Sequence, residues 1–454
     1  MVKINFFGAA GTVTGSKFYL ETTEKNILID CGMFQGRKDL RISNWKPLPI
    51  STGSIDVVLL THGHLDHTGY LPRLVKAGFK GNIIGTAPTL AITRIILLDS
   101  AKINEEEAEI ANKEGYSKHK PAMPLYSLQD ADDTIALFRA EELDHWTQLS
   151  ENIQYRFRLN GHIIGSAFIE LDISGKRFLF SGDVGRPDDL LLDSPVKPEW
   201  ADFLFVESTY GNKFHPPDNV EDRLVSLVNK TLYAGGTLLI PSFAVERLQS
   251  LMYLFWKLYR KNKIPNIPIF IDSPMGNNVL DIFERFPNWH KLSQKEYKAM
   301  CRHLNIIDSY RQTWETIDDP RPKIVIAGSG MVTGGRILTY LHQMVDKPTT
   351  NILLVGYMAE GTRGRALLEG AKEVKIYGKY YSVKASVYHE ESLSAHSDQK
   401  ELLDWMASIK NIPERVFLIH GEQEALYEFK VKIEEIYKWN VQIPELFETV
   451  ELIF

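Results

Sequence analysis

Residues 61–67 read THGHLDH and place three imidazoles and one carboxylate, those of His62, His64, Asp66 and His67, within six residues. Imidazole nitrogen and carboxylate oxygen are ligands that suit zinc. Side chains two positions apart in an extended chain point the same way, so His62 and His64 share a face. Asp66 and His67 come next, where the chain can turn into a helix. Four such ligands exceed the three that one open catalytic zinc site usually takes. The run therefore implies two neighbouring metals, with other segments supplying the remaining ligands. A packing role does not account for it, because nothing apolar is gained by grouping three imidazoles with an acid.

The further candidates share one context, a strand edge. His162 lies in NGHIIGSAF, Asp183 in FLFSGDVG, His420 in VFLIHGE and His396 in SLSAHSD, while Glu207 ends the strand FLFVES. Any one of these alone reads more simply as a cap or a solvated group, and only the set points to a metal. The two cysteines, Cys31 and Cys301, have no CxxC companion and form no cysteine zinc site. GSGMVTGGR at 328–336 follows a strand and precedes a helix, so its backbone N–H groups could meet a phosphate. This selects Ser329, Gly330, Gly334, Gly335 and Arg336 as substrate-binding candidates. Arg363 and Arg365, in GYMAEGTRGR, are further phosphate partners. Tight turns with solvated arginines explain these segments equally well. GAAGTVTGS near the start lacks the GK[ST] ending of a phosphate loop and reads as a turn between strands. Tyr380 and Tyr381 either stack bases or belong to a core.

These groups need a frame. Lys3–Phe7, Ser16–Glu21 and Lys25–Asp30 read as short strands, and IDVVLL at 55–60 as a strand buried on both faces. Pro88–Glu114 reads as a long helix with Glu105–Glu107 on a solvated face. Residues 151–185 return to β patterning, and a boundary is expected near 208. Beyond it strands and helices alternate, with helices at Asp218–Ala234 and Glu246–Arg260 and strands at TLLIP, IPIFID, PKIVIAG and NILLVG. Such alternation predicts a parallel sheet with helices on its faces. KASVYH, a helix from Asp398, RVFLIH and a helix from Glu424 close the chain.

A length of 454 residues allows two or three domains, and 44% hydrophobic residues can fill a large core without disulfides. The net charge of −6 argues against a protein that coats nucleic acid non-specifically, but leaves room for a local basic groove. The N-terminus lacks the features of a signal peptide and no apolar run reaches membrane-spanning length, so a cytoplasmic enzyme with no membrane contact is expected.

HGHLDH, followed by a spaced His and a strand-end Asp, resembles the metallo-β-lactamase superfamily. VESTYG at 206–211, PSFAVERLQ at 241–249, GSGMVTGGR, GYMAEGTRGR, LSAHSD at 393–398 and IHGE at 419–422 resemble, in this order, the β-CASP nucleases. The likeness is to short bacterial members similar to the eukaryotic pre-mRNA 3′-end cleavage endonuclease. It implies an α/β fold, an αββα sandwich with an inserted α/β β-CASP domain, divided as 1–207, 208–380 and 381–454. It implies two zinc ions per chain, the first on His62, His64, His162 and Asp183, the second on Asp66, His67, Asp183 and His420. Asp183 would bridge them and Asp30 would support the metal loop.

By the same resemblance Glu207, His396 and His420 match the three β-CASP motifs, and His420 favours RNA over DNA. The implied activity is hydrolysis of RNA phosphodiester bonds by a hydroxide that two metals activate, leaving 5′-phosphate and 3′-hydroxyl ends. Asp66, His396 as general acid and Glu207 are the implied catalytic groups. RNA is the implied partner, and a homodimer is compatible with the resemblance. A hydrolase of small esters or thioesters, a DNA-cutting relative and a scaffold without activity are the competing readings.

Overall fold

The strand Ile153–Leu159 reads IQYRFRL, and its alternation decides its orientation: Ile153, Tyr155 and Phe157 enter a core while Arg156 and Arg158 face the other way. The same rule holds across the two seven-stranded sheets of the first compact unit, which comprises Met1–Phe214 and His396–Phe454. The structure, a computed structural model, describes residues 1–115, 119–216 and 219–454.

One sheet runs in the order Thr449–Leu452, Val2–Phe6, Phe18–Glu21, Asn26–Ile29, Val57–Leu59, Asn82–Thr86 and Phe138–Glu141. The other runs Val441–Gln442, Arg415–Ile419, Phe203–Glu207, Lys176–Phe180, Ala167–Ile173, Ile153–Leu159 and Thr147–Ser150. Their inner faces share one apolar core. In it Phe205 stacks between Phe180 and Phe417, with ring centroids 4.2 and 4.7 Å apart. The outer face of the first sheet packs Leu28, Val58 and Ile83 against Leu71, Leu74, Leu97 and Ala101, which lie on the helices Leu71–Lys76 and Ala87–Glu114. The outer face of the second packs Phe168, Leu179, Leu204 and Leu418 against Trp405 and Phe429, on the helices Gln399–Met406 and Gln423–Tyr437. The layers are therefore helix, sheet, sheet, helix. Val57 and Leu59 enter the inter-sheet core and Val58 the outer one, which is why IDVVLL carries no polar alternation.

Topology brings strand ends together. Asn26–Ile29 and Val57–Leu59 are parallel neighbours, so their carboxyl ends lie side by side. Lys176–Phe180, Phe203–Glu207 and Arg415–Ile419 are likewise parallel neighbours, with Glu207 opposite Ile419. Residues that follow these strands are thereby delivered to the carboxyl edges of the sheets, where open α/β sheets bind their ligands.

The second unit, His215–Ala395, has a six-stranded parallel sheet in the order Asn305–Ile306, Ile269–Asp272, Lys323–Ala327, Thr237–Pro241, Thr350–Val355 and Ser386–Glu390. TLLIP, KIVIA and TNILLV are buried along their whole length, as a parallel sheet covered on both faces requires. A two-stranded hairpin, Glu373–Ile376 with Lys379–Ser382, completes it. The helix expected from Asp218 is Val220–Tyr233, and Asp218 itself lies outside the described residues. Phe138–Glu141, Thr147–Ser150 and Thr449–Leu452 are strands that the sequence pattern did not announce. Among the described residues no helix is long and apolar enough to cross a membrane.

Candidate metal centre

After the strand Val57–Leu59 the chain bends at Thr61 and reaches His64, whose extended backbone is the N-cap of the short helix Leu65–Thr68. Asp30, at the end of the neighbouring strand, holds this turn. Its Oδ1 accepts the Thr61 N–H at 2.8 Å, and its Oδ2 accepts the Thr61 hydroxyl at 2.8 Å and meets His67 Nδ1 at 2.7 Å. With Nδ1 facing that carboxylate, Nε2 is the His67 nitrogen turned toward the other candidate ligands. Asp30 is itself in the left-handed region with φ 55°, and so is His420 with φ 52°. Such backbone persists only where its surroundings over-determine it, and it concentrates at functional sites. The backbone approach is also close. A Cβ on Gly32 would stand 1.5 Å from the Asp66 carbonyl oxygen, so only glycine fits beneath the loop.

Two constellations result. His62, His64, His162 and Asp183 offer ligand atoms that all lie within 4.8 Å of one another, and so do Asp66, His67 and His420. In the first, His64 Nδ1 is 3.0 Å from His62 Nε2 and 3.3 Å from His162 Nε2. Asp183 Oδ2 stands 3.5 Å from His62 Nε2 and 3.6 Å from His162 Nε2. In the second, His67 Nε2 and His420 Nε2 are 3.2 Å apart, and His420 Nε2 is 3.4 Å from Asp66 Oδ2. Asp183 Oδ1 faces this second set, 3.4 Å from His67 Nε2 and 3.6 Å from His420 Nδ1. One buried carboxylate thus addresses both groups, one oxygen each.

The electrostatics suit cations. Burial, with His67 next to it, pushes His62 well below its ordinary value, and burial takes His64 down to about 4, so both are neutral lone-pair donors at pH 7. Burial opposes charge on Asp183, yet His420, His67, His62 and His396 hold it well below the carboxylate range. Burial also opposes charge on His67, but the carboxylates of Asp183 and Asp30 raise it well above its usual value. Asp183 Oδ1 is buried and accepts no hydrogen bond. A buried anionic oxygen without a donor, among converging imidazole nitrogens, is the donor set that metal ions satisfy, and the residues fit the group.

A third constellation adjoins these, formed by Asp183, Glu207 and His396. His396 Nδ1 is 3.1 Å from Glu207 Oε2 and 3.9 Å from Asp183 Oδ2, and its ring centroid is 4.4 Å from that of His162. Glu207 is fully buried, and its carboxylate also accepts from Val184 N–H at 2.5 Å and the Thr209 hydroxyl at 2.6 Å. Burial opposes the charged imidazole at His396, but Glu207 and Asp183 outweigh it and raise its pKa.

The seven ligand candidates, with His396 and Glu207, all lie in the first unit. The seven substrate candidates lie in the second. Ser329 Oγ accepts from Thr333 and Gly334 N–H at 3.0 and 3.2 Å and closes the turn that holds Gly330, Gly334 and Gly335. Arg336 donates to Thr313 at 2.6 Å, lies 3.9 Å from Asp272, and covers the Tyr310 ring at 3.8 Å. Arg363 donates to the carbonyls of Lys375 and Thr333 at 2.6 and 3.0 Å, and Arg365 pairs with Glu369 at 2.6 Å.

Sequence reasoning missed three supports. Thr61 Oγ1 lies 3.1 Å from His62 Nδ1, Thr209 Oγ1 lies 3.1 Å from His420 Nδ1, and Asn160 donates to the carbonyls of Ser181 and Asp183 at 2.7 and 2.5 Å. Each sits beside a ligand or motif residue in sequence, and that adjacency was the only available signal. Removing the Asp30 carboxylate frees both Thr61 and His67. Asp30→Ala is expected to weaken metal binding about 10- to 100-fold, the usual consequence of losing a ligand's hydrogen-bonded partner. Competition with a chromophoric chelator measures it, and an unchanged affinity would show that Asp30 does not support the loop.

Residues 11–236 match the family model of the metallo-beta-lactamase superfamily, residues 248–367 that of the Beta-Casp domain, and residues 380–444 that of the Zn-dependent metallo-hydrolase RNA specificity domain. Ribonuclease TTHA0252 of Thermus thermophilus is 33% identical, over 92% of this chain and 93% of that one. An RNase J-like protein of Methanocaldococcus jannaschii is 29% identical over 98% of both chains, and transcription termination factor FttA of the same organism is 29% identical over 98% of this chain and 70% of its own. A solved structure from Enterococcus faecalis, of a protein of unknown function, superposes with TM-score 0.54 at 14% identity, covering 99% of this chain and all of that one, and shares the fold.

Proposed function

We propose that this chain, which belongs to the β-CASP family of the metallo-β-lactamase superfamily, hydrolyses RNA phosphodiester bonds with two zinc ions and leaves 5′-phosphate and 3′-hydroxyl ends. The observation that carries the reading is Asp183, a buried carboxylate whose two oxygens face two separate ligand groups. His62, His64, His162 and Asp183 would hold one ion, and Asp66, His67, Asp183 and His420 the other. Bound there, the ions would supply Lewis-acid stabilisation of phosphoryl charge and acidify a water toward neutral pH.

The chain's own residues do the rest. Asp30 fixes the orientation of His67, and Thr61 and Thr209 meet the ring nitrogens of His62 and His420, so the ligand rings are set in advance. His396 acts as the general acid. Its Nδ1 is turned to Glu207, so the proton it delivers is the one on Nε2, passed to the leaving 3′ oxygen. Glu207 orients that imidazole and stabilises its charged form. RNA as the substrate rests on the ribonuclease among the relatives and on the RNA specificity match at 380–444.

The test is cleavage of a 5′-labelled and a 3′-labelled RNA by the zinc-loaded protein, with the new ends typed enzymatically. Products that accept a 3′ ligation and carry a 5′-phosphate are expected. A 2′,3′-cyclic phosphate would mean attack by the neighbouring 2′-hydroxyl and would exclude this route. Hydrolysis of a thioester in preference to any RNA would return the site to the small-ester reading.

A further inference from the structure

Each sheet of the first unit ends in the same arrangement of one carboxylate, one threonine and two imidazoles. At the edge of one sheet, Asp30 meets His67 Nδ1 at 2.7 Å and the Thr61 hydroxyl at 2.8 Å, and that hydroxyl lies 3.1 Å from His62 Nδ1. At the edge of the other, Glu207 meets His396 Nδ1 at 3.1 Å and the Thr209 hydroxyl at 2.6 Å, and that hydroxyl lies 3.1 Å from His420 Nδ1. Each carboxylate also accepts one backbone N–H, from Thr61 at 2.8 Å and from Val184 at 2.5 Å. Both acids and both threonines are buried. Each acid thus holds one imidazole directly and a second through a hydroxyl.

The number of protons fixes the direction of these bonds. A carboxylate only accepts, so each threonine spends its single proton there. For Thr209 the other acceptor in reach is the His420 carbonyl at 3.3 Å, and the carboxylate is both nearer and charged. Oγ1 then has only lone pairs left, and the Nδ1 that meets it must carry the hydrogen. The free lone pairs of His62 and His420 are thereby placed on Nε2. In both rings Nε2 is the atom turned to the ligand groups: His62 Nε2 lies 3.5 Å from Asp183 Oδ2, and His420 Nε2 lies 3.4 Å from Asp66 Oδ2.

The two arrangements differ in what they serve. Both imidazoles held by Asp30 are ligand candidates, in different groups. Of the two held by Glu207, His420 is a ligand candidate and His396 is the group assigned as general acid. The series therefore runs from His420 Nδ1–H to Thr209 Oγ1, from the Thr209 O–H to Glu207 Oε2, and back to that same oxygen from His396 Nδ1–H. Hydrogen bonds in such a series polarise one another, and losing the middle one disturbs both ends.

We propose that Thr209 is a positioning residue shared by the two halves of the centre: its oxygen holds the ring and tautomer of His420 for the second ligand group, and its proton holds the Glu207 carboxylate that orients His396. The inference deepens the two-metal reading and rests on it for the role of His396.

Thr209→Val keeps the shape of the side chain and removes the hydroxyl, whereas Thr209→Ser keeps the hydroxyl. Two quantities are read on the full chain. Zinc affinity, by competition with a chromophoric chelator and without RNA, is expected to fall about 10- to 100-fold in Thr209→Val. The kcat for a labelled RNA, at saturating zinc and full metal content, is expected to fall about tenfold, a part of the worth of a positioned acid, with KM unchanged. Thr209→Ser restores both toward wild type. The decisive comparison is Thr209→Val made in the His396→Ala background. There the second substitution takes nothing further from kcat, since the imidazole that it would misplace is gone, yet zinc affinity still falls.

Unchanged zinc affinity in Thr209→Val overturns the proposal. So does a kcat loss that multiplies in full with that of His396→Ala, as a general structural defect would. A Thr209→Ser protein as impaired as Thr209→Val traces the effect to packing of the methyl group and overturns it too. A wild type that holds two zinc ions and cuts no RNA removes the ribonuclease reading and the His396 half with it, and the His420 half is then decided by chelator competition alone.

Discussion

Asp183→Asn is expected to lower RNA cleavage by about 10³- to 10⁵-fold, the equivalent of several kcal/mol of lost charge stabilisation. The substitution keeps size and shape, removes the charge and turns one acceptor oxygen into a donor. Asp183 is 2% exposed, and its oxygens face His62 and His162 on one side and His67 and His420 on the other. An amide presents one acceptor and one donor. One of the two ligand groups would then meet N–H groups where it needs an anion, so both metal occupancies are affected, one of them severely. Under the two-ion proposal the metal-to-protein ratio, read by plasma emission spectroscopy after dialysis, should fall from two to below one. Far-UV circular dichroism should not change, because the residue sits at a sheet edge and not in the aromatic core. A variant that retained two metals and cut RNA within tenfold of wild type would sink the bridging role.

The legible part of the site is the part that is local in sequence. His62, His64, Asp66 and His67 occupy one turn, so their spacing alone announced a ligand cluster. Asp183 and His420 were visible because each follows an apolar strand, and parallel pairing brings such ends together, whereas His162 follows an alternating strand with antiparallel neighbours and was visible only as a histidine at a strand edge. The supports were not visible. Thr61, Asn160 and Thr209 act through contacts with side chains or carbonyls from other strands, and a hydroxyl or an amide in isolation carries no such signal.

The fold shows the same division. Long apolar strands of the second unit were readable because a parallel sheet buries both faces. Phe138–Glu141 was not, since an edge strand half open to solvent needs no apolar run. Arg336 shows how a correct residue type can be given an incomplete setting. Its charge suggested a phosphate, but the structure supplies Thr313, Asp272 and the face of Tyr310, partners 23, 64 and 26 positions away that no local window contains.

His396→Ala separates chemistry from metal binding. The imidazole lies at the margin of the ligand groups, 3.9 Å from Asp183, and its Nδ1 is held by Glu207 at 3.1 Å. It is 19% exposed, whereas His62 and His162 are sealed. A group so placed can reach a substrate atom, and its loss leaves both metal groups complete. The expectation is a fall in kcat of about 10²- to 10⁴-fold, the usual worth of a positioned general acid, with two metals retained. Loss of metal in step with activity would instead make His396 a ligand.

Glu207→Gln tests the same assignment by pH. The carboxylate of Glu207 is the first of the influences that raise His396 against the effect of burial. An acid must be protonated to act, so activity is lost as pH rises through its pKa. Without Glu207 that pKa falls, and the alkaline limb of kcat moves to lower pH while the acid limb stays where the other groups set it. An alkaline limb that did not move, in a variant with full metal content, would mean that some other group delivers the proton.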